Sequence, residues 1–175
     1  AGLPLLEPIF HKFSEKIICK LIEDDGIKIT TGTQLAQLQG PAIYLLSAER
    51  TAINLLQHLS GIATLTRQYV EEIDGTGAIL LDTRKTVPCL RELAKYATRI
   101  GGATNHRMRL DDGVLIKDNH VAVSGGIAEA VKRAKANKLN NIEVECDTLM
   151  EVEEALEAGA DSILLDNMDA KTCAK

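Results

Sequence analysis

The stretch VLIKDNH, residues 114–120, sets the fold: an apolar run, Val114-Leu115-Ile116, ends abruptly in fixed charge at Lys117 and Asp118. The same punctuation recurs three times. Ala78 to Leu81 run into Asp82, Ile142 to Val144 are followed by Glu145, and Ile163 to Leu165 by Asp166. Each run has the length and composition of a buried strand. Helical patterns lie between them. Leu90, Leu93, Ala94, Ala97 and Ile100 mark one, closed by Gly101-Gly102; Ile127, Ala130, Val131 and Ala134 mark a second. Thr148 and Glu151 form a capping box that opens a third, with Leu149, Val152, Ala155 and Leu156, ended by Gly159. Strand and helix in alternation call for a parallel sheet, either a (β/α) barrel or a doubly wound sheet. The polar residues fall each time at the C-terminal end of a strand, where a barrel assembles its site. No GxGxxG follows the first strand, which removes the strongest argument for a dinucleotide fold. The expectation is an α/β protein with an incomplete (β/α) barrel, since about four units fall short of the roughly 200 residues of a whole barrel.

Upstream, residues 1–46 read as short strands and turns with one helix. Leu5, Leu6, Ile9, Phe10 and Phe13 have helical spacing. Residues 16–22, 27–30, 34–39 and 42–46 are short runs divided by Asp25-Gly26, Thr31-Gly32 and Gly40-Pro41, the pattern of antiparallel strands with tight turns. From Ser47, a plausible N-cap, to Ile73 runs the longest helical pattern, with Ala52, Ile53, Leu55, Leu56, Leu59, Ile62 and Ala63 on one face; Gly61 is a candidate break. Glu49 and Arg50 sit near its start, away from that face.

Hydrophobic residues make up 45% of the chain and aromatics 3%, with no Trp, so the core is built from Leu, Ile, Val and Ala. The four cysteines form no CxxC pair, which argues against a zinc site and a disulfide framework and fits a reduced cytoplasm. With no membrane-length apolar run and no secretory leader, a soluble cytoplasmic protein is expected. A net charge of −5 excludes nucleic acid as a default partner. That average hides a segregation: residues 82–120 hold eight Lys/Arg against five Asp/Glu, and residues 138–175 hold three against ten. A basic centre is followed by an acidic tail.

The strand ends carry the chemistry. Arg84 and Lys85 follow the first strand; an Arg suits bidentate contact with a planar carboxylate, and a Lys acts as a point charge for phosphate. His106 and Arg107 follow a Gly- and Asn-containing segment that suggests close backbone approach. Lys117 either forms a Schiff base or stays charged and binds an anion; its sequence neighbours allow both. Glu145 and Asp166, carboxylates on neighbouring strand ends, suit Mg²⁺ held jointly with a substrate phosphate, or else structural roles at helix starts. Ser124-Gly125-Gly126 precedes a helix as a phosphate loop does, but a plain turn accounts for it.

Taken together, AERTAINLLQHLSGIAT, LLDTRKTVP, TNHRMRLDDGVLIKDNH, IEVECDT and ILLDN resemble quinolinate phosphoribosyltransferase, and the resemblance runs over essentially all 175 residues. It implies a partial N-terminal α/β sandwich with its connecting helix over 1–73 and a partial α/β barrel over 74–175, in a chain truncated at both ends. It implies transfer of the phosphoribosyl group of phosphoribosyl pyrophosphate to quinolinate with decarboxylation, giving nicotinate mononucleotide, with Mg²⁺ as cofactor. It also implies a homodimer or higher homo-oligomer, in which Arg50 reaches the partner's site. Arg84, His106, Arg107 and Lys117 would bind quinolinate. Lys85, Glu145 and Asp166 would serve the phosphoribosyl pyrophosphate and its metal, and Lys117, Glu145 and Asp166 are the catalytic candidates. One departure is Cys89, which follows Pro88 where the family pattern usually has glycine. The alternatives are a related phosphoribosyltransferase acting on another base, a Schiff-base lyase built on Lys117, or an inactive fragment.

Overall fold

A computed structural model describes residues 1–175, which form two compact units, Ala1–His106 and Arg107–Lys175. In the first, a 3₁₀ turn at Leu3–Leu5 leads into α1 (Leu6–His11), followed by β1 (Ile18–Leu21), β2 (Ala36–Gln39), α2 (Ala42–Glu72) and α3 (Arg91–Gly101). The strands β1 and β2 pair antiparallel, with Ile18 opposite Gln39 and Leu21 opposite Ala36. Leu3, Leu6, Phe10, Ile17, Ala48 and Ala52 form one buried cluster. Burying a side chain the size of Phe10 contributes about 1.5–3 kcal/mol.

The helix α2 is longer than the sequence pattern suggests, 31 residues without interruption. It starts after Pro41, whose fixed φ suits a helix entry, so the run Ala42–Leu46 is helical rather than a strand. Ser47 lies inside the helix, its hydroxyl donating back to the Ile43 carbonyl at 2.7 Å instead of capping. Gly61 does not break it, because buried Leu59 on one side and Thr66 on the other hold both halves down. Residues 27–30 form no strand either.

Helix α3 lies against the second half of α2. A Cβ placed on Gly101 would meet Thr66 Cβ at 2.5 Å and the Ala63 carbonyl oxygen at 2.6 Å, so the two helices touch almost backbone to backbone there. Gly102 then takes φ 106° and closes α3 with its amide on Arg99 O. The close approach anticipated from Gly101-Gly102 is therefore between helices. At the other side of α3, the Tyr96 hydroxyl donates to Asp25 Oδ2 (2.6 Å), and the amides of Gly2 and Leu3 donate to the same carboxylate. Burial acts to raise the Asp25 pKa, but these hydrogen bonds outweigh it and hold the group below its ordinary 3.8. Burial and the Asp25 charge push Tyr96 up to about 12.

The run Ala78–Leu81 is not a buried strand. Only Leu81 bridges, in parallel, to Thr104, and Ile79 and Leu81 are 71% and 51% exposed. What remains is a clasp of two hydrogen bonds: Thr104 N to Leu80 O (2.8 Å) and Asp82 N to Thr104 O (3.2 Å).

The second unit alternates as expected: β3 (Val114–Ile116), α4 (Asp118–Ser124), α5 (Ile127–Ala136), β4 (Ile142–Cys146), α6 (Leu149–Glu157), β5 (Ser162–Leu165) and α7 (Ala170–Cys173). The strands form one parallel sheet in the order β3-β4-β5, with Ile116 beside Val144 and Val144 beside Ile163. Strand β4 obeys a strict period of two. Ile142, Val144 and Cys146 are buried with Ile116, Ile127, Ala130, Val131 and Ala155, while Glu143 and Glu145 take the opposite face. The sheet thus has one oily face toward α5 and α6 and one charged face.

The capping box of α6 is made in both directions, Glu151 N to Thr148 Oγ1 (3.2 Å) and Thr148 N to Glu151 Oε2 (3.0 Å). Gly125 and Gly126, at φ 89° and 137°, form the turn between α4 and α5. No helix is long and apolar enough to cross a membrane.

Candidate active site

In the first unit the charged residues gather around Asp82. Its Oδ1 accepts from Lys95 Nζ (2.5 Å) and from the His106 amide (2.9 Å); its Oδ2 accepts from Asn105 Nδ2 (2.6 Å) and contacts Thr98 Oγ1 (3.2 Å). Asp82 is therefore saturated by protein donors, and its side chain and that of Lys95 are only 6% and 1% exposed. Immediately after it, Arg84 is half-buried and Lys85 exposed. Arg84 Nε and Arg91 Nε are buried without an acceptor, although Arg91 Nη2 reaches Arg84 O at 3.5 Å. A buried guanidinium nitrogen with no acceptor is costly unless an anion supplies one. His106 is half-buried and its backbone is fixed on both sides, by Asp82 and by Lys95 Nζ on its carbonyl (2.8 Å). Arg50 lies exposed in the third turn of α2.

In the second unit the decisive contact is between neighbouring strand ends. Lys117, one residue beyond β3, donates through Nζ to Glu145 Oε2 of β4. Ile116 pairs with Val144, so Lys117 and Glu145 are the next positions in the same register. Arg107 is half-buried and its Nη1 donates to Gly113 O (3.1 Å). Asp166, just past β5, is exposed; its amide donates to Cys146 O (2.9 Å), which ties it to the end of β4. Beside it, Asn167 Nδ2 donates to Asp147 Oδ1 (2.9 Å).

Other polar residues of the motif have other work. Arg109 is paired with Asp111 at the surface, 71% and 70% exposed, and Asp112 accepts the amides of Met108 and Arg109 to close that turn. His120 Nδ1 accepts the Lys117 amide (2.9 Å), which caps the start of α4 and leaves Nε2 as the hydrogen-bearing nitrogen of the neutral ring.

For a divalent cation the protein offers single carboxylates rather than a cage: no three His, Cys, Asp or Glu side chains are grouped to hold a metal. Glu145 already has Lys117 as its partner, and the exposed Asp166 accepts the Asn167 amide on Oδ1 (3.0 Å). That donor set fits Mg²⁺, which commonly uses one or two carboxylates together with substrate phosphate oxygens.

Sequence models of the two domains of quinolinate phosphoribosyl transferase match this chain end to end, the N-terminal domain over residues 1–60 and the C-terminal domain over residues 62–175. The chain belongs to the quinolinate phosphoribosyltransferase family. It is 47% identical over 174 residues to a probable nicotinate-nucleotide pyrophosphorylase (carboxylating) of Bacillus subtilis, covering 98% of this chain and 60% of that protein. It is 40% identical to a mitochondrial quinolinate phosphoribosyltransferase (decarboxylating) of Nicotiana tabacum, covering 96% and 50%. Among solved structures it superposes on nicotinate-nucleotide pyrophosphorylase from Ehrlichia chaffeensis with a TM-score of 0.93 at 44% identity, covering 98% of this chain and 63% of that one. The chain thus spans about 60% of the B. subtilis relative's length.

Cys89 stands in an unusual backbone conformation. It adopts φ 64°, the left-handed conformation that glycine takes without strain. Lys95 and Thr98 are not among the residues singled out from sequence, and Asn105 enters there only as part of the segment before His106. The available signal was Asp82 itself, since a carboxylate directly after an apolar run needs a partner.

Proposed function

We propose that the protein to which this chain belongs transfers the phosphoribosyl group of phosphoribosyl pyrophosphate to quinolinate and decarboxylates the product to nicotinate mononucleotide. Within the shown family, the observation that carries this reading is the Lys117–Glu145 pair on adjacent strand ends, which sets an anion-binding ammonium beside a carboxylate. In this reading residues 1–73 are the sandwich-side segment with its connecting helix and residues 74–175 the barrel-side segment.

Quinolinate carries two carboxylates, and Arg84, His106, Arg107 and Lys117 are the cationic or donor groups assigned to them. Ribosyl transfer builds positive charge at the anomeric carbon, which Glu145 and Asp166 stabilise as fixed anions. Lys85 serves the pyrophosphate. Glu145 and Asp166 would hold Mg²⁺, directly or through water, and the ion would neutralise the leaving pyrophosphate. After transfer, CO₂ leaves from C2 of the ring, the bonding pair stays on C2 in the ring plane where the adjacent positive nitrogen stabilises it, and a proton from water completes nicotinate mononucleotide, so the protein's part is to hold the ring in place.

A homo-oligomer is part of the proposal. Ile43 and Leu46 stand 70% and 67% exposed two turns and one turn before Arg50 on the same side of α2, an apolar stripe that a second copy would cover while Arg50 reaches its site. All four cysteines are free, which supports a reducing, cytoplasmic setting.

The test is formation of nicotinate mononucleotide by the complete protein from quinolinate, phosphoribosyl pyrophosphate and Mg²⁺. Product from nicotinate or another base in preference to quinolinate would replace this reading with that of a related transferase.

A further inference from the structure

Lys95 is the most deeply buried charged residue of the chain, and its ammonium bonds to Asp82 and to the backbone of His106 rather than to a side chain assigned to substrate. Its ammonium donates to Asp82 Oδ1 and to His106 O, while the His106 amide returns to the same Asp82 oxygen. The peptide groups on both sides of His106 are thereby fixed by one ion pair. Asn105 adds a second tie, its Nδ2 donating to Asp82 Oδ2 and to Lys95 O (2.8 Å). Asp82 is also the residue from which the Arg84-Lys85 loop departs, and its own amide is clasped to Thr104 O. Two loops that carry candidate dicarboxylate ligands are therefore referenced to one carboxylate.

Stability alone does not call for charge at such a place, because buried ion pairs are often replaceable by neutral groups of similar shape without loss of stability. Direction is what the charges add. A carboxylate that accepts from an ammonium, an amide and a side-chain amide fixes all three in space, and an apolar plug fixes none.

We propose that Lys95 and Asp82 are positioning residues that hold the His106 peptide and the base of the Arg84-Lys85 loop in the geometry needed to receive a dicarboxylate. This rests on the function proposed above. The pair touches no substrate; it acts through His106 and Arg84.

The experiment uses the complete protein and two variants. In Asp82→Asn/Lys95→Met both charges are removed with little change of shape; Asp82→Asn alone keeps Lys95 and gives its ammonium an amide oxygen of the same shape in place of the carboxylate. Thermal unfolding is followed together with calorimetric titration of quinolinate and, separately, of phosphoribosyl pyrophosphate. The double variant is expected to unfold cooperatively near the wild-type temperature, to bind quinolinate at least tenfold more weakly, and to bind phosphoribosyl pyrophosphate within twofold of wild type. Asp82→Asn is expected to weaken quinolinate at least threefold with the same selectivity, and it decides the matter if the double variant does not fold. Unchanged quinolinate affinity in a folded variant overturns the proposal, as does an equal loss for both ligands, which marks general loosening. A wild-type protein that binds no quinolinate overturns the function reading as well, so the two failures are told apart by the wild-type titration.

Discussion

Lys117 and Glu145 occupy matching positions on neighbouring parallel strands and meet through a charged hydrogen bond, with side chains 37% and 16% exposed. Loss of either leaves the other charge unmatched on the same face of the sheet. Lys117→Ala is expected to lower kcat/KM for quinolinate by about 100-fold, the scale of removing one well-placed donor to a charged group. Glu145→Gln should fall as far, and the double variant should cost less than the two single losses combined. Steady-state kinetics on the three variants decides; strictly additive losses would mean that the pair does not act as a unit.

Arg84 offers a buried Nε with no acceptor in the protein. Arg84→Lys keeps the charge and loses the planar fork, so it should raise KM for quinolinate by about tenfold, with KM for phosphoribosyl pyrophosphate little changed. Equal kinetics for Lys and Arg at this position would remove the bidentate role.

Cys89 sits at φ 64° with an exposed side chain. Cys89→Gly removes the left-handed penalty of roughly 1–2 kcal/mol and adds some unfolded-state entropy, for a net gain of about 1 kcal/mol. Urea unfolding should show a higher midpoint at unchanged slope, and a lower midpoint would contradict the strain.

Asp25 and Tyr96 predict opposite pH dependences on the two sides of neutrality. The folded Asp25 lies below its ordinary 3.8, so its contribution is complete above that value and is lost as pH falls through the folded pKa. Tyr96 is raised from 10.0 to about 12, so its contribution is complete below pH 10 and is lost as pH climbs through that interval. Tyr96→Phe should abolish the alkaline slope in stability measured by urea unfolding between pH 9 and 12; a slope that survives belongs to another group.

Gly101 has no room for a methyl group, with Thr66 Cβ and Ala63 O inside any normal contact distance. Gly101→Ala should destabilise by about 1–3 kcal/mol through forced separation of α2 and α3. Gly61, where an added Cβ meets nothing within 4 Å, is the control: Gly61→Ala should stabilise by up to about 1 kcal/mol.

The parallel half of the fold was legible because its signals are local. Strands β3, β4 and β5 are short apolar runs closed by charge, α6 announces itself with Thr148 and Glu151, and Gly102 stops α3 where its conformation demands glycine. The misreadings share a different cause. Ala42–Leu46 and Ala78–Leu81 are both short apolar runs, which periodicity cannot assign. The first was drawn into a helix by Pro41 and by burial of Ala48 and Ala52 further along, and the second found only one bridging partner, Thr104. Among the candidates, Arg84 and Lys117 stand out because charge follows an apolar run, and His106 because it follows a Gly- and Asn-containing segment. Lys95 does not, since its partner Asp82 lies 13 residues away and nothing in a helical pattern distinguishes a buried lysine from a solvated one.

The two family domains meet at residue 61, in the middle of α2 rather than in a linker. The helix therefore works as a keyed shaft. Its first half is seated by Ala48, Ala52 and Leu59, its second by Ala63 and Thr66 against Gly101. Each residue of an α-helix advances the angle by about 100°, so a single insertion at the seam would rotate one seat away from its counterpart while leaving every contacting residue unchanged. Chimeras that join halves of different relatives at this seam should tolerate substitutions freely and insertions hardly at all.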